Sequence, residues 1–173
     1  MACLRRNLVA WCLVFVAAAV TASAQWHHIS NSSPEPEAAL ARDILAAHNE
    51  VRARIDVPPL RWSVRLAARA QDWADRLLRE QQFYHRPHPA FGENLFEITG
   101  ARALPADVVG VWASEARDYS YRANICRGVC GHYTQLIWND TREVGCAAAR
   151  DATREVWVCN YDPPGNWVGE RPY

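Results

Sequence analysis

The side chains able to do chemistry in this 173-residue sequence include six cysteines and six histidines. All 19 other basic residues are arginines, so a lysine Schiff base and a P-loop lysine are both excluded. The sequence has neither an HExxH helix nor a GxSxG turn, the motifs of zinc proteases and of serine hydrolases. Nineteen acidic residues balance the arginines to a net charge of zero, which argues against nucleic-acid binding.

The N-terminus predicts the compartment in which the cysteines would lie. Arg5 and Arg6 precede an uncharged apolar run at residues 8–20, and small residues follow at 21–24. This is the pattern of a secretory signal peptide cleaved after Ala24. A membrane anchor is the alternative, but a spanning helix needs about 20 apolar residues. We therefore expect a secreted protein.

Cleavage of residues 1–24 would leave four of the six cysteines. An even number in an oxidising compartment suggests two disulfides, and spacing alone allows three pairings. The four are Cys126, Cys130, Cys146 and Cys159. Asn31 and Asn139 begin N-glycosylation sequons, which fits a secreted protein.

Hydrophobic spacing predicts three helices after a flexible lead-in, rich in Ser and Pro, at residues 25–37. Apolar residues three and four apart predict a first helix over 37–55. Ser63 is expected to cap a second helix. The apolar stripe of that helix is Leu66, Ala70, Trp73 and Leu77. Pro105 is expected to open a third helix, which carries Glu115.

Short β-rich segments complete the pattern. Residues 144–149 and 155–161, joined by a polar turn, predict a β-hairpin, and residues 95–98 predict a further strand. The run at 132–138 is ambiguous between helix and strand. Helices followed by antiparallel strands predict an α+β domain.

Four segments taken together resemble the CAP superfamily: cysteine-rich secretory proteins, antigen 5 and pathogenesis-related 1 proteins. They are HNEVR (48–52), GENL (92–95), GHYTQLIW (131–138) and VCNYDPPGN (158–166). The ending, CNYDPPGNWVGERPY, is most similar to the plant pathogenesis-related 1 branch. The resemblance covers residues 38–173 and implies a three-layer α-β-α sandwich with a small antiparallel sheet between helices. It also implies a short helix after His132.

The resemblance implies how the cysteines pair. The implied disulfides are Cys126–Cys130 and Cys146–Cys159. The second closes a loop of about 14 residues, which stabilises by roughly 3 kcal/mol in the chain-entropy model. Most plant members carry a third disulfide, but Gln81 and Ala152 stand at its two positions here. We expect less constraint around these two residues.

A cleft of two histidines and two glutamates is also implied by the resemblance. They map to His85, Glu93, Glu115 and His132. Such ligands suit a divalent ion such as Zn²⁺, although His and Glu also hold loops together by bonding each other. His88 is an alternative to His85, and Arg86 would add a positive charge. In the family, His48 and Asn49 serve packing and hydrogen bonding.

Two functional features follow from the resemblance. Tyr119 and Tyr121 fall in a loop that binds sterols in the family, which implies a lipid ligand and a pathogen membrane as target. The plant branch can release a C-terminal peptide after the Asp of CNYD. Here a processing protease would cut between Asp162 and Pro163 and release residues 163–173.

The main hypothesis is a non-enzymatic, monomeric plant defence protein that is secreted to the apoplast and binds sterols or related lipids. The alternative is a metal-dependent hydrolase. In that case the cleft would hold a metal-activated water, with a glutamate as general base.

Overall fold

Helices and strands alternate along residues 35–173, the part of the chain that the computed structural model describes. The helices are α1 Glu35–Ala53, α2 Val64–Glu80, α3 Pro105–Ser114 and α4 Gly131–Leu136, with a 3₁₀ turn at Glu115–Asp118. The strands are β1 Arg61–Trp62, β2 Gly92–Thr99, β3 Tyr119–Ser120, β4 Ile125–Cys126, β5 Glu143–Arg150 and β6 Arg154–Asp162. The predicted signal peptide, Asn31 and residues 25–34 of the lead-in lie outside the described residues. Within 35–173, no helix is long and apolar enough to cross a bilayer.

The main sheet has the order β1-β5-β6-β2, in which β5 and β6 are the interior strands. Strand β6 pairs antiparallel with β5, as the predicted hairpin, and with β2. β1 adds a two-residue parallel pairing against β5, so the sheet is mixed rather than purely antiparallel. β3 and β4 form a separate two-stranded hairpin.

Alternate residues of β6 face two hydrophobic cores, because successive side chains of a strand point to opposite faces. Val156 and Val158 pack in one core with the apolar stripe of α2. Trp157, Cys159 and Tyr161 pack in the other with residues of α1, α3 and α4. Helices therefore cover both faces of the sheet, which confirms the three-layer α-β-α sandwich.

Several local details differ from the sequence predictions. Ser63 does precede α2, but its side chain makes no capping hydrogen bond. Instead its backbone N–H donates to the Val144 carbonyl at 2.9 Å, because β1 leads straight into the helix. Glu115 lies just beyond α3, in the 3₁₀ turn, and α1 ends at Ala53. The ambiguous segment after Cys130 forms the short helix α4.

Both implied disulfides are present. Cys146 faces Cys159 across the β5–β6 hairpin, and Cys126 bonds Cys130 just before α4. The Cys146–Cys159 bond joins the two interior strands of the main sheet, β5 and β6. The second closes the loop that leads into the GHYTQLIW segment.

Hydrogen bonds hold the region around Gln81, where the family resemblance implies a disulfide that this chain lacks. The Gln81 side chain donates to Asp151 at 3.5 Å. The buried guanidinium of Arg154 donates to the Gln82 carbonyl at 2.7 Å and to the Glu97 carboxylate at 2.5 Å. The end of α2 is therefore tied to the sheet by side chains rather than by sulfur.

Gly145 on β5 packs directly against the start of α2. A Cβ at this position would lie 2.2 Å from the Ala67 nitrogen and 2.5 Å from the Ser63 oxygen. Both are backbone atoms at the start of the helix, so relief requires moving α2. We predict that Gly145→Ala lowers the free energy of unfolding by about 1–3 kcal/mol, as measured by urea denaturation.

Gly110→Ala is the matched control for this prediction. The residue lies inside α3, and a Cβ there would meet no atom within 4 Å. Alanine is better than glycine in a helix by about 1 kcal/mol, so this variant should be at least as stable as the wild type. Equal stability of the two variants would contradict the close contact at Gly145.

Candidate functional site

Glu115 and His132 form one of two His–Glu pairs. His132 Nδ1 donates to Glu115 Oε1 at 2.6 Å. The other carboxylate oxygen accepts the backbone N–H groups of His132 and Tyr133 at 3.0 and 3.2 Å. These groups belong to the first turn of α4, where N–H groups lack partners within the helix. Glu115 thus caps α4 and orients the His132 ring, which also stacks on Trp112.

Glu93 and His85 form the second pair. His85 Nδ1 and the Arg86 backbone N–H both donate to Glu93 Oε1 at 2.9 Å. The Glu93 side chain is 4% exposed and that of His85 is 61% exposed, so the carboxylate is buried and the imidazole faces solvent. It is His85, and not His88, that contacts Glu93. The Arg86 guanidinium pairs with Asp72 at 2.8 Å, which compensates its charge.

The four residues implied as metal ligands are therefore present as two pairs. Within residues 35–173, no three of them bring ligand atoms within 4.8 Å of one another. The cluster that does so in this part of the chain is His48, Cys146 and Cys159. Its two sulfurs are bonded to each other, which leaves no thiolate for a metal. A metal held by all four cleft residues would require rotation of at least one side chain.

A cavity of about 390 Å³ opens beside the His85–Glu93 pair. Phe91 and Gln135 line it together with that pair, and the segment Pro164 to Trp167 forms another wall. The Glu115–His132 pair is not among its lining residues. One pair thus faces an open cavity, while the other is built into the start of α4.

Comparison with known proteins assigns the family. The sequence profile of the cysteine-rich secretory protein family, CAP, matches residues 45–161. The chain belongs to the CAP family. It is 40% identical over 133 residues to pathogenesis-related protein 1 of Arabidopsis thaliana, which covers 76% of this chain and 81% of that protein. Pathogenesis-related leaf protein 4 of Solanum lycopersicum is 43% identical over 140 residues, which covers 76% and 82%.

Solved structures share the fold of this CAP domain. Venom allergen-like protein 4 of Schistosoma mansoni superposes with a TM-score of 0.63 at 28% identity, over 78% of this chain and 93% of that protein. The crystal structure of NaASP2 with Zn²⁺ superposes with a TM-score of 0.64 at 21% identity, over 78% and 85%. At 21% identity, the similarity to NaASP2 concerns the fold alone.

A buried chain of hydrogen bonds connects α1 of the CAP domain to the cleft. His48 Nδ1 donates to the Ile44 carbonyl at 2.7 Å, so its Nε2 accepts the Tyr161 hydroxyl at 2.9 Å. The Asn94 side chain donates to the same hydroxyl and to the His132 carbonyl, both at 3.1 Å. Burial lowers the pKa of His48 to about 4 and raises the pKa of Tyr161. Both groups are therefore neutral at neutral pH, which this pattern of donors requires.

Arg52, a residue of α1, binds the C-terminal end of α4. Its fully buried guanidinium donates to the carbonyls of Pro58, Leu136 and Trp138 at 2.7, 2.8 and 3.0 Å. Burial, with the nearby Arg142, lowers the pKa of Arg52 to about 10, so the group stays charged at neutral pH. The last carbonyls of α4 have no partner within the helix, and Arg52 supplies one.

The two tyrosines of the implied sterol loop contact other parts of the domain. The Tyr119 hydroxyl donates to the Asn124 side chain at 2.7 Å. Tyr121 is 40% exposed and stacks on Tyr173, with ring centroids 4.3 Å apart. Its hydroxyl donates to the Tyr173 carbonyl. Tyr121 therefore holds the C-terminal tail, by which we mean residues 163–173.

The tail is irregular, as predicted, but it lies against the domain. Asp162, just before it, accepts a hydrogen bond from Arg65 at 2.7 Å. Trp167 is 56% exposed, whereas Pro172 is buried. The backbone N–H of Asn139 donates to the Pro172 carbonyl at 2.6 Å, so this sequon residue lies beside the tail.

Sequence reasoning did not single out four polar residues that organise the cleft. They are Arg52, Asn94, Gln135 and Tyr161. All four lie inside the motif segments, so the motifs themselves were the available signal. Gln135 illustrates why the roles stayed hidden: it bonds Thr141 at 3.2 Å and the Gly165 N–H at 3.0 Å, and these partners become neighbours only in the folded chain.

The buried His48 makes the stability of the domain depend on pH. Its pKa is about 4 in the folded protein and about 6.5 in the unfolded chain, so the unfolded chain takes up the proton first as the pH falls. The stability contributed by the neutral ring is complete above pH 6.5 and is lost down to about pH 4, by roughly 3 kcal/mol. We predict that His48→Gln removes this part of the pH dependence, measured by urea unfolding across that range.

The control for the His48 variant is His88→Gln. His88 is exposed in the loop before β2, so the slope of stability against pH should match that of the wild type. An unchanged slope in His48→Gln would show that the buried imidazole is not the group responsible.

Proposed function

We propose that this CAP protein is a defence protein of the pathogenesis-related 1 type that acts as a monomer in the apoplast. The similarity to the Arabidopsis and tomato proteins, over 81% and 82% of their lengths, carries the proposal. The signal-peptide pattern at residues 1–24 supports secretion. Two disulfides among the described residues fit an oxidising compartment.

The proposed ligand is a sterol or related lipid of a pathogen membrane, bound at the β3–β4 hairpin with Tyr119 and Tyr121. The hairpin exposes Ile125, and the nearby Val129 is exposed as well. An apolar ligand gains about 25 cal/mol for each Å² of apolar surface that it covers. Because Tyr121 already stacks on Tyr173, the ligand would insert beside the tail or displace it.

We predict that the mature protein binds a fluorescent sterol saturably and that Tyr119→Ala with Tyr121→Ala weakens this binding at least about tenfold. The reason is loss of the aromatic surface of the hairpin. Phe83→Ala is the matched control, since Phe83 is an exposed aromatic residue outside the hairpin. Absence of saturable binding, or an equal effect of the control, would count against the lipid site.

We also propose that a processing protease releases the tail as a signalling peptide by cutting between Asp162 and Pro163. Asp162 is the last residue of β6, and residues 163–173 contain no helix or strand. Irregular surface segments are preferred sites of proteolysis. The cut would leave the sheet and both disulfides intact.

Mass spectrometry of apoplastic fluid after immune stimulation should detect a fragment that spans residues 163–173. Asp162→Ala should abolish it, because the residue before the cut is the proposed recognition element. Asp140→Ala, a change at an exposed acid on another turn, should leave the fragment unchanged. A stimulated sample that contains the full-length protein and no fragment would argue against processing.

A metal-dependent hydrolase is the alternative function, favoured by the two His–Glu pairs and by the Zn²⁺ in the NaASP2 structure. Neither His85 nor His132 bonds a Ser, Thr or Cys side chain in the described part of the chain, which disfavours a nucleophile. Zinc binding by calorimetry that is lost in His132→Ala and kept in His88→Ala would support a metal site. Hydrolysis lost on both chelation and His132→Ala would favour the enzyme.

A further inference from the structure

The contacts of the tail point to a peptide-binding groove on the CAP domain. We define the tail groove by seven residues on the hairpin, on α4 and just after it: Tyr121, Asn124, Gly131, Thr134, Gln135, Trp138 and Asn139. We propose that this groove binds residues 164–173 strongly enough that cleavage after Asp162 leaves the fragment bound without a covalent link. The proposal rests on the proposed release of the tail, to which it adds a second, separate step.

The first anchor is at Gly165. Its N–H donates to Gln135 Oε1 at 3.0 Å. A Cβ on this residue would lie 2.6 Å from the ring of Trp138, so the tail backbone passes directly over the indole. A side chain of any size at this position would force the tail away from the groove, which makes the fit selective for glycine.

The second anchor is the Asn166 side chain, which bonds through both ends of its amide. The nitrogen donates to the Gly131 carbonyl at 2.8 Å, and the oxygen accepts the Thr134 hydroxyl at 2.7 Å. Both partners lie on α4, the helix that carries His132. Gly165 and Asn166 of the tail therefore contact one helix and the indole that follows it.

The third anchor lies at the end of the tail. Asn124 donates to the Glu170 carbonyl at 3.1 Å, and Arg171 donates to the Tyr121 carbonyl. The buried Pro172 and the stacking of Tyr173 on Tyr121 add apolar contact. The tail is thus held at both ends and not only at its attachment to β6.

None of these three anchors depends on the Asp162–Pro163 bond. On the tail side of the proposed cut, the nearest contact is the Thr141 hydroxyl, which donates to the Pro163 carbonyl at 2.9 Å. Breaking the chain before Pro163 therefore leaves every anchor from Gly165 to Tyr173 in place. The cut fragment therefore starts in its bound position, and its retention requires that these contacts outweigh the cost of ordering a flexible peptide.

The test uses the mature chain with a site for a specific protease inserted between Asp162 and Pro163. After complete cutting, gel filtration at ~10 µM should elute the fragment with the domain, as expected for a Kd in the micromolar range or below. Mass spectrometry of the domain peak identifies the fragment. A fragment that elutes as a free peptide at this concentration would overturn the proposal.

Substitutions in the groove show which contacts hold the fragment. Tyr121→Ala or Asn124→Ala in the cut protein should speed dissociation of the fragment on the order of tenfold, measured by exchange with a labelled synthetic copy of residues 163–173. Val168→Ala is the control, because this side chain is fully exposed. Equal dissociation rates in all three variants would overturn the assignment of the groove.

Hydrogen exchange in the uncut wild-type protein gives a check that needs no insertion. The Gly165 amide should exchange more slowly than the Val168 amide, because only the former has a partner in the groove. Equally fast exchange at the two positions would overturn the proposal.

Failure of native processing is a separate result. It would leave apoplastic fluid without the fragment, but it would not alter retention of the fragment after the engineered cut.

Discussion

The buried guanidinium of Arg52 constrains the rest of the cleft. Removing a charge from water costs several kcal/mol unless hydrogen bonds replace the lost hydration. Within residues 35–173, Arg52 has no carboxylate partner, and its donors are met by four backbone carbonyls. They belong to Pro58, Leu136, Trp138 and Thr141. The loop after α1, the end of α4 and the turn before β5 must therefore stay together, because separating them would leave a buried charge unsatisfied.

Side-chain hydrogen bonds also satisfy backbone groups at the N-terminal end of α4. The His48–Tyr161–Asn94 chain reaches the His132 carbonyl, and Glu115 accepts the first N–H groups of the helix. A six-residue helix is too short to be stable alone. Here α4 is held at both ends by side chains from α1, β2, β6 and the 3₁₀ turn. This explains how so short an element can support both a cleft histidine and the tail.

The tail and the cleft form one structural unit. Gln135 joins them, since it bonds the Gly165 N–H while its side chain lies against Gly92, where any Cβ would clash with it. The cavity beside His85 and Glu93 has tail residues as one wall. Removal of the tail from the groove would therefore open that wall of the cavity.

The sequence by itself determined the three longer helices, the β5–β6 hairpin and the resemblance to the family, and it left the segment that forms α4 ambiguous. The apolar stripe of α2, the β5–β6 hairpin and the motif segments were all readable, because they depend on residues close in the chain. The cysteine pairing needed the family resemblance, since spacing left three choices. Only the tertiary structure decided which motif residues meet. In the folded chain, His85 pairs with Glu93 and His132 pairs with Glu115. Asn94 bonds Tyr161, and Tyr121 contacts the tail. These outcomes depend on contacts between residues far apart in sequence, which the periodicity of a single segment does not encode.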